Sequence, residues 1–194
     1  MQELITKKEL EELVNKLDNG IDKFILLGFY YGLNGSASYK EQLLNLEVDS
    51  VDFENKKINL PDSREVLMDA LLEKVCKEAI NQKIYVKLGN KGGTNEDYLL
   101  NPDSKYVIKV KPIASNLWGI QPLKYTGFRT KYANIRKKCD LEVNPSELET
   151  SGLINELLAE RKDWTVADIQ FALKIRNTPF NAFRLYSIMK EILG

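Results

Sequence analysis

The sequence contains no histidine, only two cysteines and no long apolar run. Without imidazole groups, Ser-His-Asp triads, Cys-His proteases and histidine-ligated zinc enzymes are excluded. Cys76 and Cys139 are far apart and lack a Cys-x-x-Cys partner, so we expect neither a zinc cluster nor a disulfide scaffold. The apolar run at residues 24–33 is far shorter than the roughly 20 residues of a membrane span.

The N-terminus is charged and amphipathic, and it carries no apolar signal core. We therefore expect a cytoplasmic protein with no membrane partner. A length of 194 residues, with 43% hydrophobic and 29% charged side chains, predicts one globular domain over residues 1–194. No residue pattern indicates a metal site or a cofactor, and we expect neither.

Apolar periodicity and capping motifs predict a mostly α-helical chain. Thr6-x-x-Glu9 is a capping box for a helix that reaches about Leu17, and the apolar segment at 22–33 predicts a buried helix. Pro145 suits a first helical position, and Ser146-x-x-Glu149 has the spacing of a capping box. Further helices are predicted at residues 39–46, 64–80, 126–138, 145–160, 165–175 and 180–193.

Two segments have the composition of β-strands. The stretch VDSVDFENKKINL predicts an antiparallel hairpin with its turn at residues 54–56. The stretch YVIKV, residues 106–110, predicts another short strand. The fold class is therefore α+β, mostly α-helical, with a small antiparallel β-sheet.

Charge is unevenly distributed although the formal net charge is zero. The first 100 residues carry 13 basic and 18 acidic side chains, and the remaining residues carry 15 and 10. Residues 105–138 contain nine cations, five interleaved aromatic residues and no acid, and a shorter acid-free stretch runs from 174 to 190.

Such segregation is typical of a surface that binds the phosphates of double-stranded DNA. The alternative is that the aromatic side chains belong to the core and the cations are merely solvated. If the stretches do bind DNA, the candidate contacts are Lys124, Arg129, Lys131, Arg136, Lys137, Lys138, Lys174 and Arg176.

Four segments, in order and spacing, resemble the catalytic domain of the tyrosine recombinase (phage integrase) family. They are LITKKELEELVNKLDNGIDKFILLGFYYGL, YKEQLLNLEVDSVDFENKKINL, VNPSELETSGLINELLAE and TVADIQFALKIRNTPFNAFRLYSIM. The resemblance spans nearly the whole chain and implies an integrase-like helical domain. It also implies that the N-terminal clamp domain of full-length recombinases is missing.

In that family, two arginines, a lysine, a histidine and a further histidine or tryptophan surround the scissile phosphate, and a tyrosine attacks it. The resemblance places these positions on Asn34 or Ser38, residues 61–62, Ser146, Glu149, Asn177 and Tyr186. Only Tyr186 keeps the residue type of the family, and no arginine precedes Arg64. The resemblance therefore implies a protein that is not an enzyme.

An inactive domain with a basic surface is expected to occupy DNA without cleaving it. The expected role is that of a transcriptional regulator of a phage or mobile element, such as a repressor or lysogeny-control protein. The main alternative is a protein–protein interaction module that no longer binds DNA. Its last helix would form a homodimer or bind a partner through apolar residues, unless those residues join the domain's own core: Phe180, Phe183, Leu185, Ile188, Met189 and Leu193.

A third alternative assembles Asp62, Glu65 and Asp69 into the metal site of an active nuclease. These carboxylates fit a solvated helix start better.

Overall fold

The computed structural model describes residues 4–34, 42–87, 96–178 and 180–194. Within these residues the helices are α1 Lys7–Asn15, α2 Gly20–Tyr30, α3 Ala70–Asn81, α4 Tyr125–Cys139, α5 Pro145–Glu160, α6 Val166–Ile175 and α7 Ala182–Leu193. The strands are β1 Val51–Asp52, β2 Lys57–Asn59, β3 Glu65–Leu67, β4 Ile84–Tyr85 and β5 Tyr98–Leu99. The predicted fold class, mostly helical with small antiparallel sheets, is confirmed.

Helix α2 is the central element of the fold, because every one of its residues except Lys23 is buried. Two glycines allow its neighbours to come unusually close. A Cβ atom on Gly20 would lie 2.7 Å from the carbonyl carbon of Glu78 in α3, and one on Gly152 in α5 would lie 1.7 Å from the carbonyl oxygen of Tyr30. The backbones of α3 and α5 therefore touch α2 directly.

Helix ends follow capping chemistry, with one correction to the sequence prediction. The boxes Thr6–Glu9 and Thr165–Asp168 form as expected. Helix α5 is instead capped by Asn144, whose side chain accepts from the backbone N–H of Glu147. The predicted Ser146–Glu149 box is wrong because Pro145 is the first residue of the helix, so the cap precedes it.

The three-stranded sheet contains the predicted hairpin, β1–β2, and a third strand that sequence reasoning missed. Residues 64–69 were expected to be helical, but Val66 pairs with Ile58 in β2, and Asp69 caps α3 one residue before it begins. A separate pair, β4–β5, was also not predicted. Residues 106–110 form no strand; Tyr106 makes a single bridge to Glu47.

The structure corrects two further helix predictions. Residues 39–41 lie outside the described residues, and residues 42–45 form a turn rather than a helix. The last helix begins at Ala182, capped by Asn181, and not at residue 180. None of the helices in the described ranges is long and apolar enough to cross a membrane.

Buried apolar residues fall into two clusters that meet along α5. The larger one surrounds α2 and extends along the chain to Leu148, and the smaller one joins the later turns of α5 to α6 and α7. Helix α5 contributes Leu148 to the first cluster and Leu153 to the second. The single-domain assignment stays a prediction.

The contact between α2 and α5 can be tested with Gly152→Ala. The added methyl group cannot fit against the Tyr30 carbonyl without moving a helix, so we expect a loss of about 3 kcal/mol or more in unfolding free energy. Gly127→Ala in α4 is the matched control, because its Cβ would meet only the flexible end of Leu123. Urea unfolding should place this control within about 1 kcal/mol of the wild type. Equal stability of the two variants would contradict the close approach.

Candidate functional site

Three of the positions that the resemblance assigns to the catalytic site, Asn34, Asp62 and Glu149, come together where α2 ends. Arg64, just before β3, directs its guanidinium to this place. Its Nη1 donates to the carbonyl oxygen of Gly32 at 3.0 Å, and its Nη2 donates to that of Asn34 at 3.2 Å. Its Nε donates to Asp62 at 2.8 Å, and the side chains of both members of this ion pair are nearly buried.

All three nitrogens of the Arg64 guanidinium are therefore engaged within the protein. Sequence reasoning did not assign Arg64 to the site, although its position next to residues 61–62, the expected location of the family's lysine, was a usable signal. Asp62, with the two backbone carbonyls, neutralises and orients this cation. Arg64 stabilises the end of α2 and offers little to an external phosphate.

Glu149 lies one turn before Gly152, at the position assigned to the second arginine. Its Oε1 atom is buried and has no hydrogen-bonding partner among the described residues. Burial raises the pKa of Glu149 to about 7, while the Asn34 side chain and the charge of Arg64 act in the opposite direction. The position that the resemblance assigns to the second arginine thus holds a half-buried acid.

The remaining assigned positions have structural roles or lie elsewhere. Ser146 is exposed in the first turn of α5, and Ser38 lies outside the described residues. Asn177 has a positive φ of 49° and follows the end of α6. The backbone N–H of Asn177 bonds to Lys174, and that of Thr178 bonds to Leu173, which is the Schellman pattern of a helix end.

Tyr186, the position matching the nucleophile, is half-buried on α7. Its ring packs against the smaller apolar cluster, and the ammonium of Lys190 lies 5.5 Å from the ring centroid. The arrangement is that of a packing residue. Leu185 and Met189 on the same helix are buried in that cluster, so α7 belongs largely to the domain's own core.

Half of the eight candidate DNA contacts are already engaged with other protein groups. Lys138 is paired with Asp18, and Arg176 with Glu156 and Glu160. The guanidinium of Arg136 donates to the carbonyl oxygens of residues 141 and 142, just beyond its own helix.

Lys131 is the fourth candidate DNA contact that is engaged with other protein groups, and its side chain is only 12% exposed. Its ammonium lies 3.9 Å from the carboxylate of Asp22 and 3.4 Å from the centroid of the Tyr85 ring. Burial lowers the pKa of Lys131 to about 8, against the opposing effect of Asp22. These four cations therefore present less charge to a ligand than exposed, unpaired cations do, although the sequence alone does not distinguish the two groups.

The other four candidates are exposed and form no ion pair or hydrogen bond with a described residue: Lys124, Arg129, Lys137 and Lys174. Lys124 precedes α4, Arg129 lies on α4 at the flank of its buried stripe, and Lys137 lies on the opposite side. We call the exposed residues Thr126, Arg129, Thr130 and Lys137, with Lys124, the outer face of α4. It is about 20 Å long, at 1.5 Å per residue.

The carboxylates of the third alternative are not gathered together. Asp62 pairs with Arg64, Glu65 with Lys57, and Asp69 caps α3 while binding Lys7 and the Tyr31 hydroxyl. In the part of the chain that the structure describes, no three acidic or cysteine side chains are placed to share a metal ion.

The buried carboxylate of Glu149 makes stability depend on pH. A glutamate whose pKa is raised on folding destabilises the folded state as pH rises from about 4.5 through about 7. We expect Glu149→Gln to raise unfolding free energy by on the order of 2 kcal/mol at pH 8, and the gain should vanish near pH 4.5.

Urea unfolding across this pH range measures the effect, with Glu191→Gln as the exposed control that should leave stability unchanged at every pH. A gain for Glu149→Gln that is independent of pH would show that the carboxylate is not buried as described.

Comparisons with known proteins identify this architecture. The chain is similar to a solved structure titled "Crystal structure of XerA recombinase", with a TM-score of 0.61 and 17% sequence identity. The match covers 99% of this chain and 64% of the XerA chain, so this chain spans less than two thirds of that protein. At this identity the likeness establishes the fold alone. A comparison with curated proteins found no match.

A comparison with protein families matches residues 4–178 to the family described as "MrpR, C-terminal catalytic domain". The match covers most of the 194 residues and agrees with the structural likeness to a recombinase. The chain therefore belongs to the MrpR C-terminal catalytic domain family and has the fold of a tyrosine recombinase catalytic domain.

Proposed function

We propose that this chain binds double-stranded DNA without cutting or joining it, and that it acts as a transcriptional regulator of a phage or other mobile element. The observation that carries the proposal is the half-buried Glu149, with its Oε1 atom buried, at the position that the resemblance assigns to a phosphate-binding arginine. A site that must stabilise negative charge on a reacting phosphate cannot use an anion there. The regulatory role rests on analogy with a fold whose members act on DNA.

The loss extends beyond one residue. Removing a single preorganised donor typically lowers a rate by about 10²–10³, and the losses in one site are not independent. Here the arginine and histidine positions hold Asn34, Ser146, Glu149 and Asn177, or Ser38 in place of Asn34. Arg64 is the cation beside this site, and its donors are bonded to Asp62 and two carbonyl oxygens.

DNA binding is supported by the outer face of α4. Its three cations, Lys124, Arg129 and Lys137, stand exposed and without a protein counterion among the described residues, as phosphate-contacting cations must. Two acids in and just before α2 are already paired with cations of α4: Asp18 with Lys138, and the buried Asp22 with Lys131. Lys174 at the end of α6 adds a fourth exposed cation.

The second candidate function, a protein interaction module, is favoured by one observation. Phe171 and Ile175 on α6 and Phe183 on α7 are each about two-thirds exposed, at 67%, 68% and 67%. Exposed apolar side chains of this size are typical of contact surfaces. Because α7 is largely packed into its own cluster, a partner would contact these residues rather than displace the helix.

Because we propose that the chain does not cut or join DNA, we predict that Tyr186 forms no covalent bond with DNA. Incubation with nicked suicide duplexes, followed by denaturing gels, should give no protein–DNA adduct for the wild type. Tyr186→Phe should be indistinguishable from the wild type in this assay and in DNA affinity. A Tyr186-dependent adduct would overturn the proposal that the chain is inactive.

DNA binding should depend on salt in proportion to the exposed cations. Each phosphate contact contributes about −0.9 to the slope of log K against log salt, so four contacts predict a slope of about −3.6. Replacing Lys124, Arg129 and Lys137 with alanine should weaken binding to all sequences alike and flatten the slope by about 2.7 units.

A matched control removes three exposed lysines from other parts of the chain, Lys8, Lys83 and Lys162, and should change the slope by less than about 1 unit. Gel shifts on random duplexes across a salt series measure both variants. No binding by the wild type at about 50 mM salt would favour the interaction module, and equal slopes for the two triple variants would exclude the outer face of α4.

A further inference from the structure

A cavity of about 500 Å³ opens beside the first turns of α4. Its wall combines the rings of Tyr85 and Tyr98, apolar side chains such as Leu123, and the ammonium groups of Lys111 and Lys131. The two rings stack at a centroid distance of 5.0 Å and an interplanar angle of 21°. The volume lies within the range of about 300–1,000 Å³ that is typical of small-molecule sites.

Lys131 is the unusual member of this wall. An ammonium group carries three N–H donors, yet Lys131 makes no hydrogen bond to a described residue. Its contacts are the face of the Tyr85 ring and the carboxylate of Asp22 at 3.9 Å, beyond hydrogen-bonding distance. A largely buried cation with unfilled donors is costly unless an acceptor approaches from the cavity.

The rest of the cavity fits the same kind of ligand. No acidic side chain lines it among the described residues, and Lys111 and Lys124 add positive charge around Lys131. The wall thus offers cations and aromatic surface.

We propose that this cavity binds a small organic anion with one phosphate or carboxylate head and an apolar or aromatic body. The head would accept hydrogen bonds from Lys131, while the body would lie against the tyrosine rings and Leu123. This site is separate from the pocket of Arg64 and Glu149. It shares Lys124, Thr126 and Thr130 with the outer face of α4, but the proposal does not depend on DNA binding there.

A small molecule fits the site better than the backbone of a duplex. The side chain of Lys131 is 12% exposed, whereas Lys124 at the cavity rim is exposed. The convex surface of a DNA duplex can touch such a rim, but its phosphates are held on a rigid helix and cannot enter a recess. A free anion of nucleotide size can.

Isothermal titration calorimetry with two matched pairs tests the proposal. Adenosine monophosphate and indole-3-acetate carry the two kinds of head, and adenosine and indole are their neutral counterparts. We expect at least one anion to bind with a Kd below about 1 mM and at least about tenfold more tightly than its counterpart. The pair that shows the difference identifies the head as phosphate or carboxylate.

Lys131→Met should weaken that binding at least about tenfold, and Lys162→Met, which removes a remote exposed lysine, should leave it unchanged. Because Lys131→Met also leaves Asp22 unpaired, Thr130→Phe serves as a second variant that fills the cavity and retains the Lys131–Asp22 pair. The proposal is overturned if neither anion binds, if neutral counterparts bind equally well, or if both variants bind like the wild type.

Discussion

The direct contact between the backbones of α2 and α5 sets the geometry on which the rest of the structure depends. Gly152 has no side chain, so α5 can lie against the carbonyl of Tyr30 at the end of α2. One turn earlier on α5, Glu149 is thereby brought to the segment containing Gly32 and Asn34. Arg64 reaches the same place from the sheet by bonding both carbonyls. The missing Cβ atom at Gly152 lets α5 come this close, and Arg64 joins the two helices from the sheet.

The charged groups at this meeting point are neutralised by other groups of the protein. Where a recombinase concentrates positive charge for a phosphate, this chain has a carboxyl whose pKa is raised to about 7 and an arginine held by Asp62 and two carbonyls. Desolvation makes the ionised form of Glu149 costly, and the nearby cation only partly offsets that cost. We therefore propose that DNA contacts the outer face of α4 rather than this meeting point.

Much of the fold could be predicted from local patterns. Capping boxes at Thr6 and Thr165 and the apolar segment of α2 were sufficient to define three helices, since caps and periodicity act over a few residues. Strand β3 was missed because a stripe of leucines resembles a helix, and pairing with Ile58 decides otherwise. The Asn144 cap was available in the sequence, since a proline that begins a helix must follow its cap.

The candidate site was less predictable, because its properties depend on distant partners. A count of cations treats Lys131 and Lys137 alike, yet one is buried against Asp22, more than 100 residues away in the sequence, and the other is exposed. The role of Arg64 likewise depends on carbonyls 30 and 32 residues earlier. Residue type and spacing led to an assignment of the family's catalytic positions, but only the fold reveals which charges are available to a ligand.

In the proposed function, DNA is held by the outer face of α4 and not by the pocket of Arg64 and Glu149. Amide chemical-shift mapping by NMR, with a duplex of about 20 base pairs, distinguishes the two surfaces. We expect the largest perturbations in α4, around Thr126, Arg129 and Lys137, with little change at Gly32, Arg64 and Glu149. Perturbations centred on Arg64 and Glu149, with α4 unaffected, would contradict it.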